Sequence, residues 1–423
     1  MTVAFDDPVL AAADRFLKTF QRPARLLAAV SGGSDSTGLF IAFATLLSAG
    51  RHPHITFCAA TVDHDLRAGS AEEAAAVAVL CARHGIAHAT RRWKGPKPAS
   101  GLQAAARAER YRLLVDAARE MGADAILAAH TRDDQSETVA MRAARAPEGI
   151  GLSGMAEGVL LDGAVWLLRP FLAVGRQDIR AFLAARGEGW IEDPSNLNPR
   201  FERVRVREAG EGPEAAAGRL WLSQHAAAFL AANVAAEGPL FTLPVPAIGA
   251  ALADPAAWRG LLVLAAAAGG RAHGLEARSA ARLRTFLASG TLSRLTAGRV
   301  VFDRRRDGLY LYRECRGIAP LAVPSGAIAV WDGRCRVANR TERTFVVSAA
   351  GDALGEGLRG PAQRAARAAP RLNFEDGGLV QEGADAALVI APYAHFLPRF
   401  DLPLAQALAT LFGCAPFPSP PNE

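Results

Sequence analysis

The sequence predicts an α/β protein in three parts: a doubly wound parallel-sheet domain over residues 1–208, a mainly helical basic domain over 215–316, and a small mixed α+β C-terminal domain over 317–423. Three observations carry that expectation. The chain has 423 residues, enough for about three domains at roughly 150 residues each. Its first 200 or so residues alternate short β-like runs with longer helical patterns, the signature of a parallel sheet with helices on both faces. The positive charge is concentrated: Lys and Arg exceed Asp and Glu by about 8 over 259–316, against about +2 for 1–208, −3 for 209–258 and −1 for 317–423.

The first domain begins with a compact apolar strand at 26–30, a loop at 31–36 and a helix at 37–47. A second strand at 55–62 leads to a helix at 71–84. Apolar residues at helical spacing mark 102–121, a third strand lies at 125–129, and another helix starts from Asp134. Pro194, Pro199 and the Gly/Pro cluster at 210–213 punctuate the domain's end. Ala- and Leu-rich helical stretches follow at 215–236, 258–268 and 275–287, closing with strand-like runs at 299–302 and 309–313. Beyond 317 come short β-like segments at 327–331, 344–348 and 387–390, a helical stretch at 402–411 and a Pro-rich tail.

Composition excludes several classes. Half the residues are hydrophobic and 21% are charged, ordinary values for a globular chain and not for a disordered one. The longest nearly uncharged apolar stretch, 261–270, is about half of the roughly 20 residues a membrane span needs. Asp6 and Asp7 stand where a signal peptide would carry Lys or Arg. The expectation is a cytoplasmic protein without a membrane partner. The five cysteines (Cys58, Cys81, Cys315, Cys335, Cys414) never form C-x-x-C, so neither a disulfide framework nor a zinc or iron-sulfur site is suggested. Arg278, Arg282, Arg284, Arg294, Arg299, Arg304, Arg305 and Arg306 concentrate charge as a polyanion-binding face would; a solvated basic surface is the plain alternative.

Ser31-Gly32-Gly33-Ser34-Asp35-Ser36 joins the first strand to the first helix, where α/β folds place ligands. Two glycines let the backbone approach an anion, and the free N–H groups at a helix N-terminus favour phosphate. The loop therefore reads as a phosphate cradle and the domain as nucleotide-binding. It is not a Walker A motif, because no G-K-[ST] follows, and it lacks G-x-G-x-x-G. A tight turn capped by Ser34 or Asp35 is the bland alternative.

This S-G-G-x-D-S loop resembles that of the N-type ATP pyrophosphatases (the PP-loop superfamily), which cleave ATP between the α- and β-phosphates. The resemblance implies that Ser31, Gly32, Gly33, Ser34, Asp35 and Ser36 bind ATP and its pyrophosphate, and that Asp35 holds Mg2+. Further segments narrow it: Val62-Asp63-His64-Asp65-Leu66-Arg67; Ala106-Arg107-Ala108-Glu109-Arg110-Tyr111; H-T-R-D-D-Q-S-E-T from His130 to Thr138; Gly149-Ile150-Gly151-Leu152-Ser153-Gly154-Met155; Arg169-Pro170-Phe171-Leu172; and Glu192-Asp193-Pro194-Ser195-Asn196. In this order, over roughly 25–207, they are similar to the tRNA(Ile)-lysidine synthetase family. The resemblance implies ATP and Mg2+ as cofactors, tRNA(Ile) with a CAU anticodon and L-lysine as substrates, and lysine placed on C2 of the wobble cytidine through an adenylated intermediate. It leaves the oligomeric state open, a homodimer included.

Each segment also has a physical reading. Asp134 and Glu137 sit three apart on one helix face and can jointly hold an ammonium group, which the resemblance makes lysine's; the same pair could simply favour a helix N-terminus. His130 ends a strand and could contact the activated nucleotide or its phosphates, or be structural. Arg107 and Arg110, three apart, could reach the α-phosphate or leaving pyrophosphate with bidentate donors, or be solvated. Asp63, His64 and Arg67 end the second strand, near adenosine or the target base, or form a loop network. Arg203, Arg205 and Arg207 alternate along an extended run and so share a face suited to phosphate or tRNA; the family's Asn and Ile at this place are Val204 and Val206 here. The rivals are a PP-loop thiolase such as a 2-thiocytidine enzyme, disfavoured by the missing C-x-x-C; a small-molecule amidotransferase-type synthetase, for which no Cys-His glutaminase segment exists; and a non-catalytic nucleotide-dependent RNA-binding module, against which Asp35, Asp134 and Glu137 stand.

Overall fold

The computed structural model describes residues 7–145, 150–192, 218–354 and 357–423, and the chain divides into two compact units, 1–217 with 418–423, and 218–417. The Arg203, Arg205 and Arg207 run and most of the segment 192–196 lie outside the described residues. The boundary expected at 316/317 falls inside the second unit.

The first unit runs α1 (Pro8–Leu17), β1 (Ala24–Ala29), α2 (Ser34–Ser48), β2 (Ile55–Asp63), α3 (Ser70–Arg83), β3 (Ala87–Arg92), α4 (Leu102–Glu120), β4 (Ala125–Leu127), α5 (Arg132–Arg145), β5 (Gly158–Leu161), β6 (Val165–Leu168) and α6 (Arg176–Ala184). Within this unit the strand order is β5-β6-β4-β1-β2-β3. The sheet is parallel except for the β5–β6 pair, which is antiparallel, so the expectation of a parallel sheet is corrected at this edge. The reason is a tight hairpin: Asp162 and Gly163 both adopt positive φ, 48° and 62°, and Ala164 N–H closes the turn on the Leu161 carbonyl. Asp-Gly is what such a turn favours.

Alternation along β2 covers both faces. Phe57 stacks on Phe40 and Phe43 of α2, with ring centroids 5.9 and 5.8 Å apart, whereas Cys58 and Ala60 join Leu114, Val115, Ala117 and Ala118 of α4 in a buried core. Gly38 lets α2 meet α6 closely, since a Cβ there would lie 2.2 Å from Ile179 Cγ2. β4 lies on the opposite side of β1 from β2, so the winding reverses between β1 and β4. A crevice opens at such a reversal beyond the carboxyl ends of the strands.

The second unit opens with α7 (Arg219–Asn233), β7 (Ala235–Glu237), β8 (Leu240–Pro244), α8 (Val245–Ala253), α9 (Pro255–Ala268) and α10 (Ala277–Ala288). Then come β9 (Arg294–Ala297), β10 (Val300–Arg304) and β11 (Gly308–Arg313). The helices expected here form, yet they accompany a five-stranded antiparallel sheet ordered β7-β8-β11-β10-β9. Further on, β12 (Leu321–Val323), β15 (Phe345–Ala349) and β16 (Pro370–Phe374) make one antiparallel sheet, and β13 (Ile328–Trp331), β14 (Cys335–Asn339) and β17 (Ala384–Leu388) another. Their shared core is Val323, Trp331, Cys335, Val337, Phe345 and Val347. Among the described residues no single helix is long and apolar enough to cross a membrane.

Candidate active site

The loop 31–36 leaves β1 beside the winding reversal. Gly32 takes φ +86°, a conformation L side chains rarely adopt, and a Cβ there would lie 2.6 Å from Ile191 Cδ1. Ile191 N–H donates to the Gly32 carbonyl at 2.8 Å. Hydroxyls shape the turn: Ser36 Oγ accepts from Ser31 N–H and donates to the Gly33 carbonyl, both at 3.1 Å, and Thr37 Oγ1 donates to the Gly32 carbonyl at 3.1 Å. The N-cap of α2 is Gly33, and no side chain caps it. Neither Ser34 nor Asp35 acts as the cap the bland reading required. The first N–H groups and the dipole of α2 thus remain directed at the crevice, where an anion is favoured.

Asp35 does not stand alone. Its Oδ1 accepts from Ser34 Oγ at 3.1 Å, and its Oδ2 lies 3.1 Å from Arg176 Nε. The same guanidinium lies 3.5 Å from Asp134 Oδ1 through Nη2 and 3.5 Å from Glu137 Oε1 through Nη1. The loop carboxylate and the two carboxylates of α5 therefore meet at one cation. Burial pushes the Asp35 carboxyl up, and the Asp134 charge adds to this; Arg176 opposes both without cancelling them. For Arg176, burial disfavours the charge, but Asp134, Asp35 and Glu137 outweigh it and hold the guanidinium above its ordinary range.

The start of α5 serves two purposes. Asp134 Oδ2 accepts from Thr131 N–H and Oγ1–H at 2.9 Å, and Thr131 Oγ1 accepts from Asp134 N–H at 3.3 Å. This is a capping box, so one oxygen of Asp134 does favour the helix N-terminus while the other faces Arg176. Glu137 is buried. Asp133 Oδ2 accepts from Arg176 N–H at 2.8 Å and ties the start of α6 to that of α5. Gln135 clasps the loop after α5, accepting from Met155 N–H at 2.6 Å and donating to its carbonyl at 3.1 Å.

A second, basic group gathers at the neighbouring strand ends. β4 and β6 run side by side in register, so His130 and Arg169 emerge at one sheet edge, and Arg169 Nε donates to His130 Nδ1 at 3.1 Å. Arg107 and Arg110, on α4, place their guanidinium carbons 5.0 and 5.4 Å from the Tyr111 ring centroid. Burial raises the Tyr111 phenol, but Arg107, Arg110 and Arg169 together bring it below its ordinary value.

The end of β2 is more self-contained. Asp63 is buried; its Oδ1 accepts from Asp65 N–H at 2.8 Å and its Oδ2 lies 3.6 Å from Arg92 Nε. Arg67 pairs with Glu73 at 2.8 Å. His64 is held below its ordinary pKa by burial first and then by Arg110, so of these three residues it is His64 that stands toward the basic group.

Arg169 and Arg176 are the site residues that motif spacing left without a role. Arg169 opens the Arg169-Pro170-Phe171-Leu172 segment, but nothing in its neighbours shows that it is buried. Arg176 starts a nine-residue helix that the alternation of runs does not reveal. Cys58 and Cys81 are buried, and burial raises both thiols, Cys81 to about 11; such thiols are inert at neutral pH.

Residues 8–209 match the model of a family described as a PP-loop domain. Over the whole length the chain is 44% identical to a tRNA(Ile)-lysidine synthase of Rhizobium meliloti (strain 1021), covering 98% of this chain and 97% of that protein. It is 40% identical to a tRNA(Ile)-lysidine synthase of Mesorhizobium japonicum, covering 93% and 94%, and 39% identical to one of Brucella canis, covering 93% and 96%.

Proposed function

The chain belongs to the tRNA(Ile)-lysidine synthase family, and on that premise we propose how its own residues divide the work of an ATP-dependent ligase. The loop 31–36 receives the β- and γ-phosphates of ATP on the N–H groups at the start of α2. The wobble cytidine of a CAU anticodon, splayed from its loop as single-stranded bases are when they are read or modified, presents O2 to the α-phosphate. The new O2–P bond forms as the bond to pyrophosphate breaks. The ε-amine of lysine then attacks C2, and AMP departs with O2. Positioning and charge neutralisation are the protein's contribution.

One observation carries this reading: Asp35 and the sequence-distant pair Asp134 and Glu137 converge on Arg176 beside the loop. Three carboxylates facing one guanidinium leave negative charge for further cations, which suits lysine's ammonium at Asp134 and Glu137. Magnesium fits Asp35: the ion binds through one or two carboxylates with substrate phosphates, and Asp35 lies in the first turn of α2, beside the loop. Bound there, Mg2+ would neutralise phosphate charge. His130, Arg107 and Arg110 offer donors for the α-phosphate or leaving pyrophosphate, with His64 near the adenosine or target base.

The second unit supplies the tRNA grip, through the basic residues of 215–316 and the β-rich 317–423. Arg294, Arg304, Arg305 and Arg306 line one groove of about 530 Å³ with Asp303 and Asp307. Others in the basic stretch are engaged internally: Arg282 donates to the Thr296 carbonyl at 2.9 Å, and Arg284 to that of Leu252 at 2.5 Å. With tRNA, ATP and lysine as substrates, the place of work is the cytoplasm. The test is to incubate the protein with ATP, labelled lysine and total tRNA and to identify the modified nucleoside. Lysidine in tRNA(Ile) is expected; label in no nucleoside, or sulfur chemistry at cytidine, would overturn the reading.

A further inference from the structure

Arg169 is almost wholly buried, 4% exposed, and its side chain donates to a backbone carbonyl and to a histidine ring. Its Nη1 donates to the Ala156 carbonyl at 2.6 Å and its Nε to His130 Nδ1 at 3.1 Å. A buried guanidinium is costly, and here burial and the nearby Arg107 and Arg110 charges lower its pKa to about 10, against the pull of Tyr111. It nonetheless stays charged at neutral pH.

A guanidinium has five N–H donors and no acceptor. The group facing it at 3.1 Å must therefore offer a lone pair, and His130 Nδ1 can do so only when it carries no proton. An imidazolium would set N–H against N–H at that contact. The neutral ring with its proton on Nδ1 would do the same.

We propose that Arg169 is a positioning residue that holds His130 as the neutral Nε2–H tautomer, making His130 a hydrogen-bond donor toward the reacting phosphate instead of a general base. The inference rests on the proposed role of His130 at the nucleotide. A general base needs an open lone pair, and this contact consumes the Nδ1 one while the proton occupies Nε2. Parallel pairing of β4 and β6 sets the two residues at one edge of the sheet, so the arrangement is built by the strands themselves and precedes substrate.

Nitrogen-15 NMR of the full-length protein labelled at histidine, at neutral pH and without substrates, reads the tautomer directly. The resonance that disappears in His130→Gln is expected to show an unprotonated Nδ1 and a protonated Nε2. An Nδ1–H tautomer or an imidazolium in the unsubstituted protein overturns the proposal, and this measurement needs no variant of Arg169 to fold. In Arg169→Met the Nδ1–H form should appear, with kcat for tRNA-dependent pyrophosphate release falling roughly ten- to a hundredfold, as for loss of one aligned donor, while KM for ATP stays within about twofold. Arg169→Lys should restore the tautomer and part of kcat. A folded Arg169→Met with the tautomer unchanged also overturns it. Absence of pyrophosphate release from the unsubstituted protein would instead count against the functional reading, leaving the tautomer result to stand by itself.

Discussion

Arg176 Nε lies 3.1 Å from Asp35 Oδ2, joining the first turn of α2 to the first residue of α6 across 141 positions of sequence. The contact matters because Arg176 also faces Asp134 and Glu137, so that one guanidinium is shared by three carboxylates. Arg176→Ala would remove that shared positive charge from beside Asp35, Asp134 and Glu137. Removing one partner of a fully buried ion pair costs about 3–5 kcal/mol; with Arg176 15% exposed, the expected loss is about 1–2 kcal/mol, read by urea unfolding. Lysidine formation should fall at least about tenfold, with Arg176→Lys recovering part of it. Full activity in a folded Arg176→Ala would remove the residue from the site.

Asp35 predicts a trade between stability and activity. Its folded-state pKa is raised, by burial and by Asp134, so its contribution to stability is present below the unfolded pKa and is lost as pH rises through the folded one. Above that folded-state pKa the ionised carboxylate is a net cost to the fold. Asp35→Asn should therefore raise Tm at pH 7, with the advantage disappearing in acid. Pyrophosphate release should be abolished while tRNA binding persists. A Tm lower than the unsubstituted protein's at pH 7 contradicts the electrostatic account; unimpaired pyrophosphate release contradicts the assignment of Asp35 to ATP.

Gly32→Ala tests the loop geometry itself. The added Cβ meets φ +86° and Ile191 Cδ1 at 2.6 Å, so the turn must shift or Ile191 must move. A destabilisation of about 1–2 kcal/mol and a rise in KM for ATP of at least about tenfold are expected. Unchanged ATP dependence would mean that the loop's backbone path is not what receives the phosphates.

The legibility of this chain divides along physical lines. The loop 31–36, His130, Asp134 and Glu137 follow strand ends marked by apolar runs, and a winding reversal brings such ends together, so their shared edge could be read from order alone. Arg176 could not, because nothing local announces which side chains a helix start will meet 141 residues away in sequence. β3 (Ala87–Arg92) escaped because its residues are polar and partly exposed, while β5 and β6 are only four residues each; Asp162-Gly163 was the available signal. Asp63 illustrates the reverse: a carboxylate at a strand end looked available for a ligand, and the structure spends Oδ1 on the Asp65 amide.

Glu137 separates the two chemical steps. It is buried with its carboxylate 3.5 Å from Arg176, and Glu137→Gln keeps the shape while removing the charge that would face lysine's ammonium. The KM for lysine should rise about tenfold or more, in line with a charge-assisted hydrogen bond worth about 1.5–3 kcal/mol, while tRNA-dependent pyrophosphate release continues. Steady-state kinetics varying lysine at saturating ATP and tRNA make the comparison. If lysine dependence is unaltered, Glu137 belongs to the Arg176 cluster for structural reasons alone.

The arginine groove of the second unit should announce itself in salt dependence. Arg304, Arg305 and Arg306 sit where β10 turns into β11, and Asp303 stands opposite Arg294 across β9 and β10. Asp303 draws Arg305 and Arg364, at 3.4 and 3.3 Å, whereas Arg306 is exposed at the turn. A phosphate contact made by such a residue releases counterions, so each one lost should flatten the slope of log K against log salt by about 0.7–0.9. Arg306→Ala should therefore weaken tRNA binding most at low salt and leave pyrophosphate release at saturating tRNA within about twofold. Arg305→Ala should do less, since its guanidinium is already shared with Asp303. Equal slopes for both variants and the unsubstituted protein would place the tRNA on another face of the second unit, and the groove's charge would then be a solvated surface.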